Sequence, residues 1–122
     1  MKLVAISILI GLVAGCAAAL CGVGGGLIMV PAFKYLLGLD QKQAVATSLA
    51  VIIPTAILAT AKYARTTELI DWKVVALTAL GACLAAWFAA DWLKSLSNPS
   101  LTRGFAILLI VSGVLMLWTE GK

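Results

Sequence analysis

The sequence predicts an all-α integral membrane protein with four spanning helices, the first segment broken by glycines and followed by a short half-helix. Three observations carry this reading. Of the 122 residues, 63% are apolar, well above what a soluble domain of this size uses. The charged residues leave long uncharged stretches at 3–33, 43–61, 74–90 and 104–119. Gly22, Gly24, Gly25 and Gly26 interrupt the longest of these. A soluble enzyme domain is thereby excluded. So is disorder, which pairs low hydrophobicity with high charge, whereas charged residues here are only 11%.

The first stretch would make a helix of roughly 46 Å, too long for one crossing of a ~30 Å hydrocarbon core and too short for two. It must be interrupted, and each glycine in a helix costs about 1 kcal/mol relative to alanine. We expect a span at about 3–20, a break at Cys21–Gly26, and a short helix at 27–37. A broken helix at membrane depth exposes backbone N–H and C=O groups, which is tolerated only where they are buried in protein or line a polar cavity. The start of the short helix would present N–H groups and a positive dipole end, a cradle for an anion. Packing or flexibility explains a glycine cluster equally well when it stands alone. The stretch from Met1-Lys2 to Cys16 also has the form of a lipoprotein signal cleaved before Cys16. The continuation of the apolar run past Cys16, and the three later spans, favour a retained helix.

The other spans are expected at 44–61, 74–90 and 104–118. Each uncharged stretch covers about 24–29 Å as a helix, close to one crossing. Trp72, Trp92 and Trp118 sit at their ends as interfacial anchors. In the second stretch Thr47, Ser48, Val51, Thr55, Ala59 and Lys62 recur at helical spacing, a small and hydroxyl-bearing face expected to look inward, with Leu49, Ile52, Ile53 and Ile57 elsewhere. The competing reading is that these hydroxyls bond their own helix or a neighbour. Pro54 should kink this helix and free a carbonyl. Gly11 with Gly15, and Gly81 with Ala85 and Ala89, form small-residue stripes suited to close helix packing.

The net charge of +4 does not point to nucleic acid, because Lys and Arg form no run and fall between apolar stretches. Cys16, Cys21 and Cys83 lie in apolar stretches without a CxxC motif or any histidine, so neither disulfides, a metal site nor a cofactor is expected. Packing is the simpler role for all three, although Cys21 borders the break. Asp40, Glu68, Asp71, Asp91 and Glu120 all lie in or beside loops, which leaves no carboxylate relay within the membrane. No nucleophile stands with a histidine base, and catalysis is not expected.

Gly15 to Gly26 with Pro31, then Gly38, Ala44-Val45-Ala46-Thr47-Ser48-Leu49, and Asp71-Trp72 opening a span with Gly81 form an ordered set along nearly the whole chain. This set resembles the TauE/SafE sulfite exporter family, also called the 4-toluene sulfonate uptake permease family. The resemblance implies transport of small sulfur-containing or organic anions, such as sulfite, thiosulfate or sulfonates, across the bacterial inner membrane. It places the binding region at Gly22, Gly24, Gly25, Gly26 and Pro31, faced by Thr47 and Ser48. Cys21 stands where many members carry an apolar residue, and we count it as a further candidate contact.

Family members are typically about twice this length, with two related halves, so two chains are expected to assemble around a site at their interface. The tally of Lys and Arg on the two sides is five to four whether the short helix is re-entrant or completes a crossing. Such balance fits insertion in both orientations and an antiparallel homodimer. A heterodimer with a second half-length chain is the rival arrangement. A passive anion channel and a non-transporting membrane scaffold are the rival functions. Lys34 either raises the positive potential at the pathway mouth or snorkels to the interface.

Overall fold

The computed structural model describes residues 1–66 and 68–121. It contains five helices among these residues: α1 (Lys2–Cys21), α2 (Gly26–Leu36), α3 (Gln41–Thr66), α4 (Trp72–Ser95) and α5 (Asn98–Glu120). All except α2 are long and apolar enough to cross a bilayer. The fold class is therefore the expected one.

The helices α3, α4 and α5 run past the uncharged stretches at both ends. Absence of charge marks the hydrocarbon slab, whereas a helix ends where its backbone is capped, and the polar end turns project into the headgroup region. At α4 that cap is Asp71, whose carboxylate accepts from the N–H groups of Lys73 and Val74 at 3.0 and 3.3 Å. Asp71→Ala should lower stability by about 1 kcal/mol, the usual worth of an N-cap, read from the unfolding midpoint in mixed micelles. At α5 Ser97 occupies the N-cap and Pro99 sits in the first turn, where its missing N–H costs nothing.

Helix α1 ends at Gly22, which is left-handed at φ 68° and closes its N–H on the Ala18 carbonyl at 2.9 Å. The chain then doubles back. A Cβ on Gly25 would lie 3.2 Å from the Ala14 carbonyl oxygen and 3.5 Å from the Ala18 Cβ. Ala14 stands about two turns before the end of α1, so α2 descends beside α1 towards the end that carries Lys2. The break is thus the tip of a helical hairpin, with α2 returning along α1. Lys34 and Lys42 accordingly lie towards the Lys2 end. Lys94 joins them, since Lys42 Nζ donates to its carbonyl at 3.1 Å. Lys122, counted in the charge tally, lies outside the described residues.

The core sits inside this hairpin and where α3 covers it, formed by Ile10, Ala14, Met29, Val30, Phe33 and Ala44. Helix α2 packs mainly on α3 and next on α1, and α5 touches α3. Helix α4 has no buried residue. The glycines of the small-residue stripes are loosely surrounded: among the described residues a Cβ on Gly11, Gly15 or Gly81 would find nothing within 4 Å. Cys16, Cys21 and Cys83 are exposed, so the packing role expected for them is not met inside this chain either.

Candidate functional site

The glycine tip is held by few backbone bonds. Ile28 and Met29 N–H both close on the Gly25 carbonyl, at 3.1 and 2.9 Å, starting α2. The N–H groups of Val23, Gly24 and Gly25 donate to no backbone carbonyl among the described residues. They adjoin the N-terminus of α2, whose first N–H groups lack intrahelical partners and carry the positive end of the dipole. Gly25 is left-handed at φ 74° and pressed on Ala14, so the tip tolerates no side chain at that position.

Two spaces flank the tip, and Ile52 borders both. A recess of about 220 Å³ between α1 and α3 is lined by Gly15, Gly22, Gly24, Thr55, Ala59 and Tyr63, among others. A larger cavity of about 540 Å³ between α2, α3 and α5 is lined by Gly26, Gln41, Ser48, Gly104 and Phe105, among others. Ile52, read from the sequence as facing away, points at the break: its Cδ1 would lie 3.3 Å from a Cβ on Gly26 and 3.8 Å from one on Gly24.

The sequence-selected residues divide between these spaces. Gly22 and Gly24 face the recess. Gly26 and Ser48 face the cavity, with Ser48 Oγ 3.9 Å from where a Gly26 Cβ would stand. Ser48 is buried, but Thr47, about 100° further around α3, is exposed and borders neither space. Pro31 lies within α2, about a turn and a half past the tip. Cys21 is exposed beside it.

The hydroxyl groups near the tip are committed to carbonyls. Ser48 Oγ donates to Val45 O at 2.8 Å. Thr55 Oγ1 is placed to donate to Val51 O or Ile52 O, at 3.1 and 3.0 Å. Tyr63 Oη donates to Ala19 O at 2.7 Å, tying the upper part of α3 to α1. An anion arriving here would find the loop N–H groups as ready donors, and Ser48 would have to turn its proton away from Val45. Tyr63, Gln41 and the α5 wall escaped the sequence reading, because long-range pairing of helices leaves no local periodic signal.

These features define a multi-pass membrane protein built around a glycine-tipped helical hairpin. The family model for the sulfite exporter TauE/SafE matches residues 7–122, and the chain belongs to that family. Its relatives include a "Probable membrane transporter protein" of Xylella fastidiosa, 29% identical over 97% of this chain and 44% of the relative. The "Probable membrane transporter protein YunE" of Bacillus subtilis is 30% identical over 96% of this chain and 45% of its own length. A Haemophilus influenzae protein of the same description is 28% identical, over 94% and 46%. The chain thus spans somewhat under half the length of these relatives. No solved structure matches it.

Proposed function

We propose that the chain is half of a secondary transporter that exports small sulfur-containing or organic anions, such as sulfite, thiosulfate or sulfonates, across the bacterial inner membrane. The observation that carries this reading is the hairpin tip, where unpaired loop N–H groups adjoin the N-terminus of α2 beside Ile52, near the middle of α3. Backbone dipoles of this kind replace the hydration shell of an anion without burying a countercharge. The site would comprise Gly22, Gly24, Gly25 and Gly26 with Pro31 below, Cys21 beside it, and Ser48 turning to donate. Two chains would complete the pathway, with Thr47 brought to it in the assembly. The stripes at Gly11/Gly15 and Gly81/Ala85/Ala89, suited to close helix approach, would carry the contact with a second copy in antiparallel orientation, a different half-length chain being the rival partner.

Purified chain in proteoliposomes should carry thiosulfate, sulfite or a short sulfonate with saturation and counterflow. Light scattering on the same preparation should give two chains per particle. Gly25→Ala should abolish the flux, Ser48→Ala should raise KM about tenfold, equivalent to ~1.4 kcal/mol, and Thr47→Ala should also lose affinity. Absence of flux for every anion in the wild type would overturn the transporter reading. Flux without saturation would turn it into a channel.

A further inference from the structure

Away from the hairpin tip, a recess of about 400 Å³ opens where the α2–α3 turn meets the start of α5. Lys34, Asp40, Gln41, Asn98, Thr102 and Arg103 border it. Lys34 does not run out to the interface: its Nζ donates to Thr102 Oγ1 at 2.7 Å in a part-buried contact. The Thr102 proton goes to the Asn98 carbonyl at 2.9 Å, so the hydroxyl oxygen is an acceptor for the ammonium. Lys34 keeps two further N–H donors.

Gln41, 3% exposed as a residue, borders this recess. One amide beside it is orphaned: Asn98 Oδ1 is buried without a partner among the described residues. Polar groups left unmatched in this way ordinarily have a water, an ion or a ligand to satisfy them. Arg103, exposed at the rim, forms no salt bridge among the described residues. The recess therefore holds two cations against the single carboxylate of Asp40.

We propose that this recess is an oxyanion site at the entrance to the 540 Å³ cavity. A small oxyanion offers acceptors to Lys34, to Arg103 and to the N–H₂ ends of both amides, the Asn98 amide presenting its nitrogen after a half-turn. A metal cation would be repelled by Lys34 and Arg103. A neutral ligand would leave those charges unmatched. Gln41 borders the recess and the cavity alike, so one amide is shared between the entrance and the space beside Ser48. The inference rests on the anion-transport reading for the identity of the anion, and its test reads binding instead of flux.

The chain in phosphatidylcholine nanodiscs should bind radiolabelled thiosulfate or sulfate saturably, with one anion per chain whose binding persists in Gly22→Ala and depends on Lys34 and Arg103. Lys34→Met and Arg103→Gln should each weaken binding at least tenfold. Lys34→Arg, which keeps the charge, should stay within threefold of wild type. Arg103 is exposed, so its substitution leaves the fold untouched and keeps the test sharp if Lys34→Met misfolds. Should phosphatidylglycerol in the disc displace the labelled anion, with the same dependence on Lys34 and Arg103, the site stands and its oxyanion is a lipid phosphate. No saturable binding of either probe in phosphatidylcholine discs overturns the inference, as does binding indifferent to both substitutions. Binding that persists in a chain showing no flux would refute transport and leave this site standing.

Discussion

Gly25→Ala is expected to destabilise the chain by about 2–4 kcal/mol, from roughly 1–2 for a left-handed alanine and about 1–2 for overpacking. The first contribution follows from φ 74° at this position. The second follows from the neighbours: the new methyl would lie 2.8 Å from Met29 Cε and 3.2 Å from the Ala14 carbonyl oxygen. Met29 can swing its terminal methyl, but the carbonyl belongs to α1 and moves only with the helix. Relief therefore comes by prising α2 from α1, which opens the core around Met29 and Phe33. Gly22→Ala should cost only the conformational part, because nothing lies within 4 Å of its Cβ position. Gly11→Ala and Gly81→Ala, helical and open within the single chain, should be neutral or slightly stabilising for the chain's own fold, apart from any effect on its assembly. Unfolding midpoints in sodium dodecyl sulfate mixed micelles rank the four variants. Equal shifts for Gly25→Ala and Gly11→Ala would refute the hairpin geometry.

Leu84→Arg should oppose membrane insertion of α4 by about 2.5–3.5 kcal/mol, the cost of a cation near the centre of a spanning helix. Leu84 lies at the middle of α4 and is 65% exposed. No Asp or Glu occurs between Trp72 and Ala90 to receive a guanidinium, so the charge is expected to face hydrocarbon or the apolar surface of another helix. Leu93→Arg, close to the end that carries Lys94, should cost far less, because a long cationic side chain there snorkels to the headgroups. Glycosylation mapping of α4 in microsomes separates the two: Leu84→Arg should shift most of the product to the uninserted form, and Leu93→Arg should leave it inserted. Equal insertion of both would show that α4 does not face an apolar medium.

The spans were legible because insertion into a bilayer is governed by composition over about twenty residues, which a sequence displays directly. The break was legible for a local reason as well, since Gly22 and Gly25 take conformations that glycine adopts without strain. The inner face of α3 was read in part. Ser48, Val51, Thr55 and Ala59 do turn inward, while Thr47 and Lys62 are exposed and Ile52, read as facing elsewhere, lies against the glycines. Hydroxyl chemistry suggested Thr47, but close packing against a bare backbone called for an aliphatic side chain.

The return of α2 along α1 was not legible, because direction after a flexible break depends on which surface is bound afterwards. Nor was the recess at Lys34. Its residues come from two distant segments, 34–41 and 98–103, and Asp40-Gln41-Lys42-Gln43 reads by itself as an ordinary polar turn. Lysines near the ends of spans are so common as anchors that only the bond to Thr102 distinguishes this one.

The solitary position of α4 bears on how the protein comes apart. Helices α1, α2 and α3 share one core, so they should melt as a single cooperative unit, with α5 attached through its contact with α3. Helix α4 shares almost nothing with that unit and is kept helical by the bilayer, which offers its amides no water to bond. Its amide protons should nevertheless exchange by a route of their own, independent of denaturant-induced opening of that unit. A chain so divided has one folded body and one tethered rod, and only the body has a fixed tertiary structure to lose.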